Sequence, residues 1–438
     1  MAQSDSAVTV AERPSWLATV TAPLRQKKGA QSVVLSGSIV MLGSMAIVSV
    51  LNFAYQIVMA RMLGPSQFGH INAAVTILLL SACASLAFQL VCTKFVARNP
   101  APGAKAWVYK SLLKKGWIVS VGLGFALFLI QKPVAHYLNL PNPWILGVLA
   151  IGIAAYAPVG VKRGAMQGVC SFPRLGGNFV LEAFMRLATA VIFVALGYGV
   201  LGAVGAISAA VVTAYFAPPI PRELRVKPEE GEPASFAEAL QAIVFFVGQV
   251  IINNIDILLV KHFFAPVPAG FYAAVALIGR FLYFIATQSV VNAMFPVSAA
   301  DREQRHTAHT VLLPLMLVLG ISVVFVGMVG LFPHLIIDTV FGAQFHNQIE
   351  SLLAPYAVAT GLYALSVVLI AHEMSRRIAN TGWLQLVFSG VLVLAIGAFH
   401  GSLQTVVMVR IVLMALMLLL VSIPFLRRQK RTAVLRTA

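Results

Sequence analysis

Six ionisable residues stand within or beside long apolar segments of this sequence, where charged side chains are rare. They are Arg61, Glu182, Arg186, Asp256, Arg280 and Arg410. A charge inside a lipid bilayer costs several kcal/mol, so such residues usually face an interior cavity or one another and often mark the path of a substrate or an ion. These six are therefore the candidate functional residues.

Some of the six also allow a purely structural interpretation. Glu182 and Arg186 are four residues apart with the acid first, which is the favourable order for an ion pair within one helix. Asp256 could reach the membrane interface or pair with Lys261, and Arg61 could be an anchor at the interface. These alternatives stay open beside the functional ones.

Arg280 and Arg410 have no acidic residue nearby on their own predicted helices. At 1.5 Å per residue, Arg280 lies about 18 Å into its helix, near the centre of a bilayer. Arg410 and Arg186 lie about 12 Å deep from opposite faces, and Asp256 lies about 6 Å from the outer end of its helix. We therefore favour a ligand-facing role for Arg280 and Arg410.

The composition indicates which elements hold these residues. Of the 438 residues, 59% are hydrophobic and 10% are charged, and the mean hydropathy is +0.89. A soluble domain has about 25% charged residues, so the sequence predicts an all-α integral membrane protein. With spans of about 20 residues, we predict twelve transmembrane helices, at 33–58, 70–92, 112–131, 143–162, 178–197, 200–219, 237–260, 268–295, 309–331, 350–370, 382–399 and 402–426.

A weak internal repeat divides these helices into two halves. At an offset of 201 residues the matching positions are Asn52 and Asn253, Pro65 and Pro266, Gly69 and Gly270, and Ala73 and Ala274. Pro fixes φ and Gly permits unusual backbone, so the matches fall where a turn constrains the chain. Because six spans separate the copies, we expect two six-helix lobes related by a pseudo-two-fold axis along the membrane normal.

The domain boundaries follow from the repeat and from one long polar connection at mid-chain, which is rich in Pro and charge as linkers are. We assign 1–32 to a basic N-terminal segment, 33–220 to the N-lobe, 221–236 to a linker, 237–426 to the C-lobe and 427–438 to a basic tail. The N-terminal segment, linker and tail are expected on the cytoplasmic side.

The distribution of Lys and Arg sets this orientation. With a cytoplasmic N-terminus, 25 of the 31 Lys and Arg residues fall on the cytoplasmic side, including Lys162 and Arg163 at the end of the fourth predicted helix. This is a strong positive-inside bias. It accounts for the formal charge of +17 through topology and contact with anionic lipid, without nucleic acid as a partner.

Motifs for catalysis are missing from the sequence. It contains no GxxxxGK[ST] phosphate loop, no HExxH pair and no acidic metal loop. We therefore expect no enzyme, no cofactor and no metal site. Any transport would have to use an ion gradient, a substrate gradient or a partner.

Three stretches resemble the polysaccharide-transporter family, the bacterial O-antigen and exopolysaccharide flippases of the multidrug/oligosaccharidyl-lipid/polysaccharide (MOP) exporter superfamily. They are ARMLGPSQFG at Ala60–Gly69, QLVCTKFVAR at 89–98 and RGAMQGVCSFPRLGGNFVLEAFMRL at Arg163–Leu187. The second half resembles the family less closely, because Ala265 and His262 replace the Gly and Arg of the first half.

The resemblance implies a two-lobed V around a central cavity with alternating access. It implies transfer of an undecaprenyl-diphosphate-linked oligosaccharide to the outer leaflet of the bacterial cytoplasmic (inner) membrane, for lipopolysaccharide or other surface polysaccharide. A polymerase and glycosyltransferases are the expected partners. On this basis we assign substrate binding to Arg280, Arg410, Arg186 and Arg61, and gating or ion coupling to Asp256 and Glu182.

Three other functions remain open. A cation-coupled drug exporter of the same superfamily would favour acids and aromatic residues in its cavity, whereas arginines outnumber acids here. A lipid II flippase typically has two further helices. A scaffold that holds a glycan assembly complex together without transport is the third.

Overall fold

A computed structural model describes residues 15–236, 240–300, 307–345, 349–375 and 382–437. These residues form α-helices joined by short loops, with two brief 3-10 turns at Arg222–Leu224 and Ala343–Phe345. The first half contains α1 Ser15–Arg98, α2 Pro102–Leu129, α3 Gln131–Tyr137, α4 Trp144–Gly168, α5 Phe172–Ala195 and α6 Gly199–Phe216. The second half contains α7 Leu240–Phe263, α8 Pro266–Ala300, α9 Thr307–Leu331, α10 Pro333–Val340, α11 Glu350–Ser375, α12 Gly382–Ala398 and α13 Leu403–Thr437.

Twelve membrane crossings can be counted in the described part of the chain. Ten helices are long and apolar enough to span a bilayer, and Trp383–Ala398 adds a shorter apolar helix. The stretch Ile39–Arg98 has 60 residues, enough for two crossings at about 20 residues each. The predicted all-α membrane fold with twelve spans is confirmed.

Helix α1 is divided by a sharp turn at Gly64, whose φ of 74° and ψ of 176° are not helical. Gly37, before the turn, lies against Phe172, whereas Val96, after the turn, lies against Gly168. Because 168 and 172 are neighbours in the chain, both ends of this stretch are on one side of the molecule. The two arms of α1 therefore form a hairpin. We call the side with Val96 the basic side and the side with Gly64 the opposite side.

The order of helices repeats at the offset found in the sequence. Shifted by 201 residues, α2 covers 303–330 and corresponds to α9, and the short α3 covers 332–338 and corresponds to α10. Neither α3 nor α10 has a counterpart among the helices predicted from the sequence. Helices α1 to α6 pack among themselves, as do α7 to α13, and α1 also packs against α7 and α8. The chain thus has two lobes of six spans each.

The lobes meet where the two copies of the repeated turn touch. A Cβ added to Gly69 would lie 3.0 Å from the Gly270 nitrogen and 3.3 Å from the Pro266 oxygen. Reciprocally, a Cβ on Gly270 would collide with the carbonyl oxygen of Pro65. A contact in which each copy presents the same atoms to the other is the mark of a two-fold axis. Glycine is required on both sides because the backbones are in contact.

Two boundaries differ from the prediction. Helix α1 already begins at Ser15, well before the predicted residue 33. Helix α4 continues to Gly168, so Lys162 and Arg163 are 3% and 5% exposed inside it and do not lie in a polar loop. Gly164 and Gly168 lie in this continuation of α4 and pack closely against Gln89 and Val96 of α1. Among the basic residues assigned to the cytoplasmic side, several lie outside the described residues: Arg13, Arg302, Arg305, Arg376 and Arg377.

The linker packs on the basic end of the N-lobe. Glu232 pairs with Arg98 at 2.7 Å, and the Glu232 backbone nitrogen donates to the Asn99 side chain at 3.2 Å. The Glu229 nitrogen donates to the Gly103 carbonyl at 3.1 Å. These contacts bind the connection to the first lobe.

We expect Gly270→Ala to push the lobes apart at the repeated turn. Overpacking of this kind costs about 1–3 kcal/mol, so the midpoint of thermal unfolding in detergent should fall. Gly320→Ala is the matched control, because its Cβ would meet no atom within 4 Å. Equal midpoints for the two variants would contradict the contact.

Candidate functional site

Four helices of the C-lobe bring polar side chains to the same depth. Asp256 is seven residues before the end of α7, and Arg410 is seven residues after the start of α13. Both therefore lie about 10 Å from the opposite side at 1.5 Å per residue. Tyr272 on α8 and Tyr356 on α11 are six residues from their helix starts, or about 9 Å deep. The helices place the four side chains in one layer.

These four side chains form a buried cluster. Together with the nearby Arg280, they are called the C-lobe cluster. Asp256 Oδ2 accepts hydrogen bonds from Tyr272 Oη at 2.7 Å, from Tyr356 Oη at 3.0 Å and from Arg410 Nη1. The Arg410 guanidinium also lies 4.7 Å from the centre of the Tyr356 ring. Asp256 is 0% and Arg410 is 2% exposed. Asp256 Oδ1 and Arg410 Nε have no hydrogen-bond partner within the described structure.

The partner of Asp256 is therefore not the one that the sequence suggested. Lys261, the expected alternative, directs Nζ toward the Asn139 carbonyl at 3.4 Å. Arg410 was expected to face a ligand, but in this conformation it is paired with the carboxylate. A buried charge requires a partner of opposite sign, and the fold supplies one from a helix 154 residues away. Substrate binding by Arg410 stays a prediction.

The N-lobe contains a second cluster, centred on Glu182. Its carboxylate accepts from Arg186 Nη2 at 2.6 Å, as the spacing of four residues indicated, and from Arg163 Nη2 at 2.5 Å. Arg163 Nε donates to Asn178 at 2.7 Å. We call Glu182, Arg186, Arg163 and Asn178 the N-lobe cluster. Arg163 is not among the site residues predicted from the sequence, because the predicted fourth helix ends at residue 162, whereas α4 continues to Gly168.

Two guanidinium nitrogens of Arg186, Nη1 and Nε, are not paired with the Glu182 carboxylate. Its Nη1 donates to Asn52 Oδ1 on α1 at 3.2 Å, and 17% of its side chain is exposed. Its Nε is buried and has no hydrogen-bond partner in the described part of the chain. Arg186 is fourteen residues from the start of α5, about 21 Å from the basic end. It therefore lies at mid-membrane depth.

Arg280 is placed similarly in the other lobe. It is fourteen residues from the start of α8, about 21 Å from the opposite end. It is half-buried, and its Nε and Nη2 are buried without hydrogen-bond partners among the described residues. The preceding Gly279 packs against the Tyr356 ring: a Cβ added to this glycine would lie 2.6 Å from Tyr356 Cδ1. Substrate binding by Arg280 stays a prediction.

An aromatic contact between the lobes lies next to both arginines. The rings of Phe53 on α1 and Phe281 on α8 are stacked with centroids 4.8 Å apart. Phe53 follows Asn52, the partner of Arg186, and Phe281 follows Arg280. Helix α1, which binds Arg186, and helix α8, which carries Arg280, therefore meet at the boundary between the lobes. Each cluster contains two arginines and one acid, so each carries excess positive charge.

Arg61 is far from both clusters along the chain and joins the lobes on the opposite side. Its Nε donates to the Val340 carbonyl at 3.2 Å, and its Nη2 to the Asp338 carbonyl at 3.2 Å and to that of Thr339. These are carbonyls at the end of α10, which the helix itself leaves without partners. In this conformation Arg61 therefore fastens the N-lobe to α10. Substrate binding by Arg61 stays a prediction.

A second contact closes the opposite side. Asn139, after α3, donates to the carbonyls of Lys261 at 3.3 Å and His262 at 3.1 Å. The His262 ring stacks on Tyr137 at 3.7 Å. We call these four residues the clasp. Together with the Arg61 contacts it closes the molecule on the opposite side.

Comparison with known proteins gives a consistent result. A sequence profile described as polysaccharide biosynthesis protein matches residues 58–350. No match was found among curated protein sequences.

Solved structures show the fold in more detail. An inward-facing multidrug resistance MATE family transporter of the MOP superfamily has a TM-score of 0.70 at 14% identity, covering 91% of this chain and 99% of that one. The lipid II flippase MurJ in an inward closed conformation also has a TM-score of 0.70, at 10% identity, covering 88% and 87%. An outward-facing MATE transporter of the MOP superfamily has a TM-score of 0.57 at 16% identity, covering 93% and 96%. The two-lobed fold is therefore the one these proteins share.

The ion pair in the C-lobe cluster can be tested by a double-mutant cycle. We expect Arg410→Gln to lower the free energy of unfolding by about 3–5 kcal/mol, because it leaves a buried carboxylate without its partner. Adding Asp256→Asn should restore part of that loss, since the neutral amide no longer requires a positively charged partner. The midpoint of thermal unfolding in detergent measures both effects. Additive losses would show that the two side chains do not interact.

Proposed function

The chain belongs to the polysaccharide biosynthesis protein family, and from this premise we propose that it is a flippase for lipid-linked oligosaccharide. The cargo would be an undecaprenyl-diphosphate-linked oligosaccharide, moved from the inner to the outer leaflet. The chain is a multi-pass membrane protein of the MOP superfamily. We assign it to the bacterial cytoplasmic membrane with both termini in the cytoplasm, from the positive-inside bias.

The observation that carries this proposal is the pair of incompletely bonded arginines at mid-membrane depth. Arg186 Nε and Arg280 Nε and Nη2 are buried donors without partners in the described structure. Buried polar groups are normally hydrogen-bonded, and leaving one unpaired costs about 1–3 kcal/mol. An anionic oxygen between the lobes would satisfy them. We propose that the diphosphate of the cargo supplies it.

The chemistry of the cargo fits guanidinium groups. A diphosphate cannot cross hydrocarbon alone, because a bare ion faces a cost of tens of kcal/mol there. Arginine remains charged and offers parallel N–H donors that match phosphate oxygens. The sugar chain would follow in a wet cavity, while the polyprenyl tail stays in lipid.

Movement of the lobes would expose this site to each side in turn. The clasp and Arg61 close the opposite side in this conformation. The TM-score is also higher for the inward-facing MATE structure, 0.70, than for the outward-facing one, 0.57. Both observations support a state that is open toward the basic side. Rocking of the lobes about the Gly69–Gly270 contact would produce the other state.

The two acids would control how strongly the arginines hold the cargo. Glu182 and Asp256 each neutralise part of the positive charge of their cluster. We propose that the Asp256 carboxylate gates the site or exchanges a coupling ion, and that Arg410 leaves it to bind phosphate as the lobes move. Arg61 would meet the cargo on the opposite side. A polymerase and glycosyltransferases are the proposed partners.

We expect Arg280→Gln and Arg186→Gln to slow transfer of lipid-linked oligosaccharide at least about tenfold. A hydrogen bond to a charged group contributes about 1.5–3 kcal/mol, and about 1.4 kcal/mol is a factor of ten. Proteoliposomes that contain the lipid-linked oligosaccharide measure the rate, through its exposure to an external glycosidase.

Arg98→Gln is the matched control, because Arg98 pairs with Glu232 at an exposed position on the basic end. It should leave the rate unchanged, since exposed ion pairs contribute little. Unchanged rates in all three variants would refute the headgroup site. Cation-driven uptake of a dye without transfer of lipid would instead identify a drug exporter, and preference for lipid II would identify a lipid II flippase.

A further inference from the structure

A cavity lies in the N-lobe on the opposite side, and neither Arg186 nor Arg280 is among its lining residues. It is open on one side, and its volume is about 410 Å³. It is bounded by the start of the second arm of α1, the loop before α4 and the start of α6. Its polar lining consists of Ser66, Gln67, His70, Asn142 and Tyr198.

His70 gives the first indication of a ligand. The residue is 5% exposed, it lines the cavity, and its Nδ1 is buried without a hydrogen-bond partner within the described structure. Buried ring nitrogens normally bond to protein, water or ligand. His70 therefore brings a polar side chain to the cavity wall with hydrogen-bonding capacity that the described residues leave unused.

The lining determines which ligand chemistry fits. The cavity is lined by neutral hydroxyl, amide and imidazole groups and by apolar side chains, with no Lys, Arg, Asp or Glu among its lining residues. The lining side chains themselves offer no charged partner for a diphosphate. A ligand rich in hydroxyls, with an apolar face for the exposed ring of Tyr198, would match both kinds of lining.

We propose that this cavity binds one or more sugar units of a neutral oligosaccharide on the opposite side of the membrane. The proposal rests on the proposed function, since the oligosaccharide would be the carbohydrate part of the transported lipid. The diphosphate and the sugar would then have separate sites: arginines at mid-depth and an uncharged cavity on the opposite side.

The walls of the cavity are connected to the closure between the lobes. His70 follows Gly69, which contacts Gly270 of the C-lobe. Asn142 lies three residues after Asn139, which belongs to the clasp. Opening of the clasp would therefore displace a wall of the sugar site. By reciprocity, a sugar in the cavity would change the equilibrium between closed and open lobes.

Binding can be measured on the full chain in lipid nanodiscs by isothermal titration calorimetry. The probe is the oligosaccharide released by mild acid from the lipid-linked oligosaccharides of the source organism, freed of lipid and phosphate. We expect saturable binding that Tyr198→Ala weakens about tenfold, whereas Tyr198→Phe retains most of the affinity because the ring remains. Ser66→Trp should abolish binding by filling the cavity.

Trp144→Ala is the matched control. It removes an exposed aromatic side chain that is outside the cavity lining and precedes Ile145 on α4, so binding should not change. Absence of saturable binding to the wild-type chain would overturn the proposal. So would equal binding to wild type, Tyr198→Ala and Ser66→Trp, because the sugar would then bind elsewhere.

The failure of this site is distinguishable from failure of the proposed function. Sugar-free polyprenyl diphosphate should bind to Tyr198→Ala as it does to wild type and should bind weakly to Arg280→Gln. If that pattern holds but the oligosaccharide does not bind, only the sugar site is wrong. If transfer of lipid-linked oligosaccharide is absent and the oligosaccharide still binds in the cavity, the proposed function fails and the carbohydrate site stands.

Discussion

The contact between the two repeated turns is the constraint on which the rest of the structure depends. Gly69 and Gly270 bring two backbones together with no side chain between them, at the axis that relates the lobes. Any larger residue would separate the lobes at this point. A small contact of this kind can act as a pivot, because it fixes a position while burying little surface that must be exposed when the lobes rotate. Larger movements then occur away from the axis.

The charged clusters do not follow the symmetry of the backbone. The position of Asp256 corresponds to Tyr55 in the first half, and the N-lobe builds its own cluster around Glu182 on α5. Each lobe therefore offsets the desolvation cost of its buried charges with ion pairs formed between a different pair of helices. In the N-lobe Glu182 pairs with both arginines, whereas in the C-lobe Asp256 pairs with Arg410 and leaves Arg280 Nε and Nη2 without partners in the described structure. One arginine of each cluster, Arg186 or Arg280, lies at mid-depth. Each lobe thus carries an excess of positive charge in its own buried cluster.

Predictions from the sequence succeeded where the signal was local. The spacing of Glu182 and Arg186 predicted a contact within one helix, and the structure contains it. The length and apolarity of the segments predicted twelve spans. Prediction failed for Arg163 and for the partner of Asp256. Both depend on which helices are neighbours, and a pairing such as Asp256–Arg410, 154 residues apart, leaves no local pattern.

The sequence by itself determined the membrane class, the number of spans and the repeat, because each follows from composition or from spacing along the chain. The tertiary structure alone decided which charges neutralise each other, that Arg186 and Arg280 retain unbonded donors, and that His70 faces a cavity. The physical reason is that burial and pairing are properties of neighbours in space. Inside a membrane these neighbours, rather than water, determine whether a charge is held by the protein or remains free to bind a ligand.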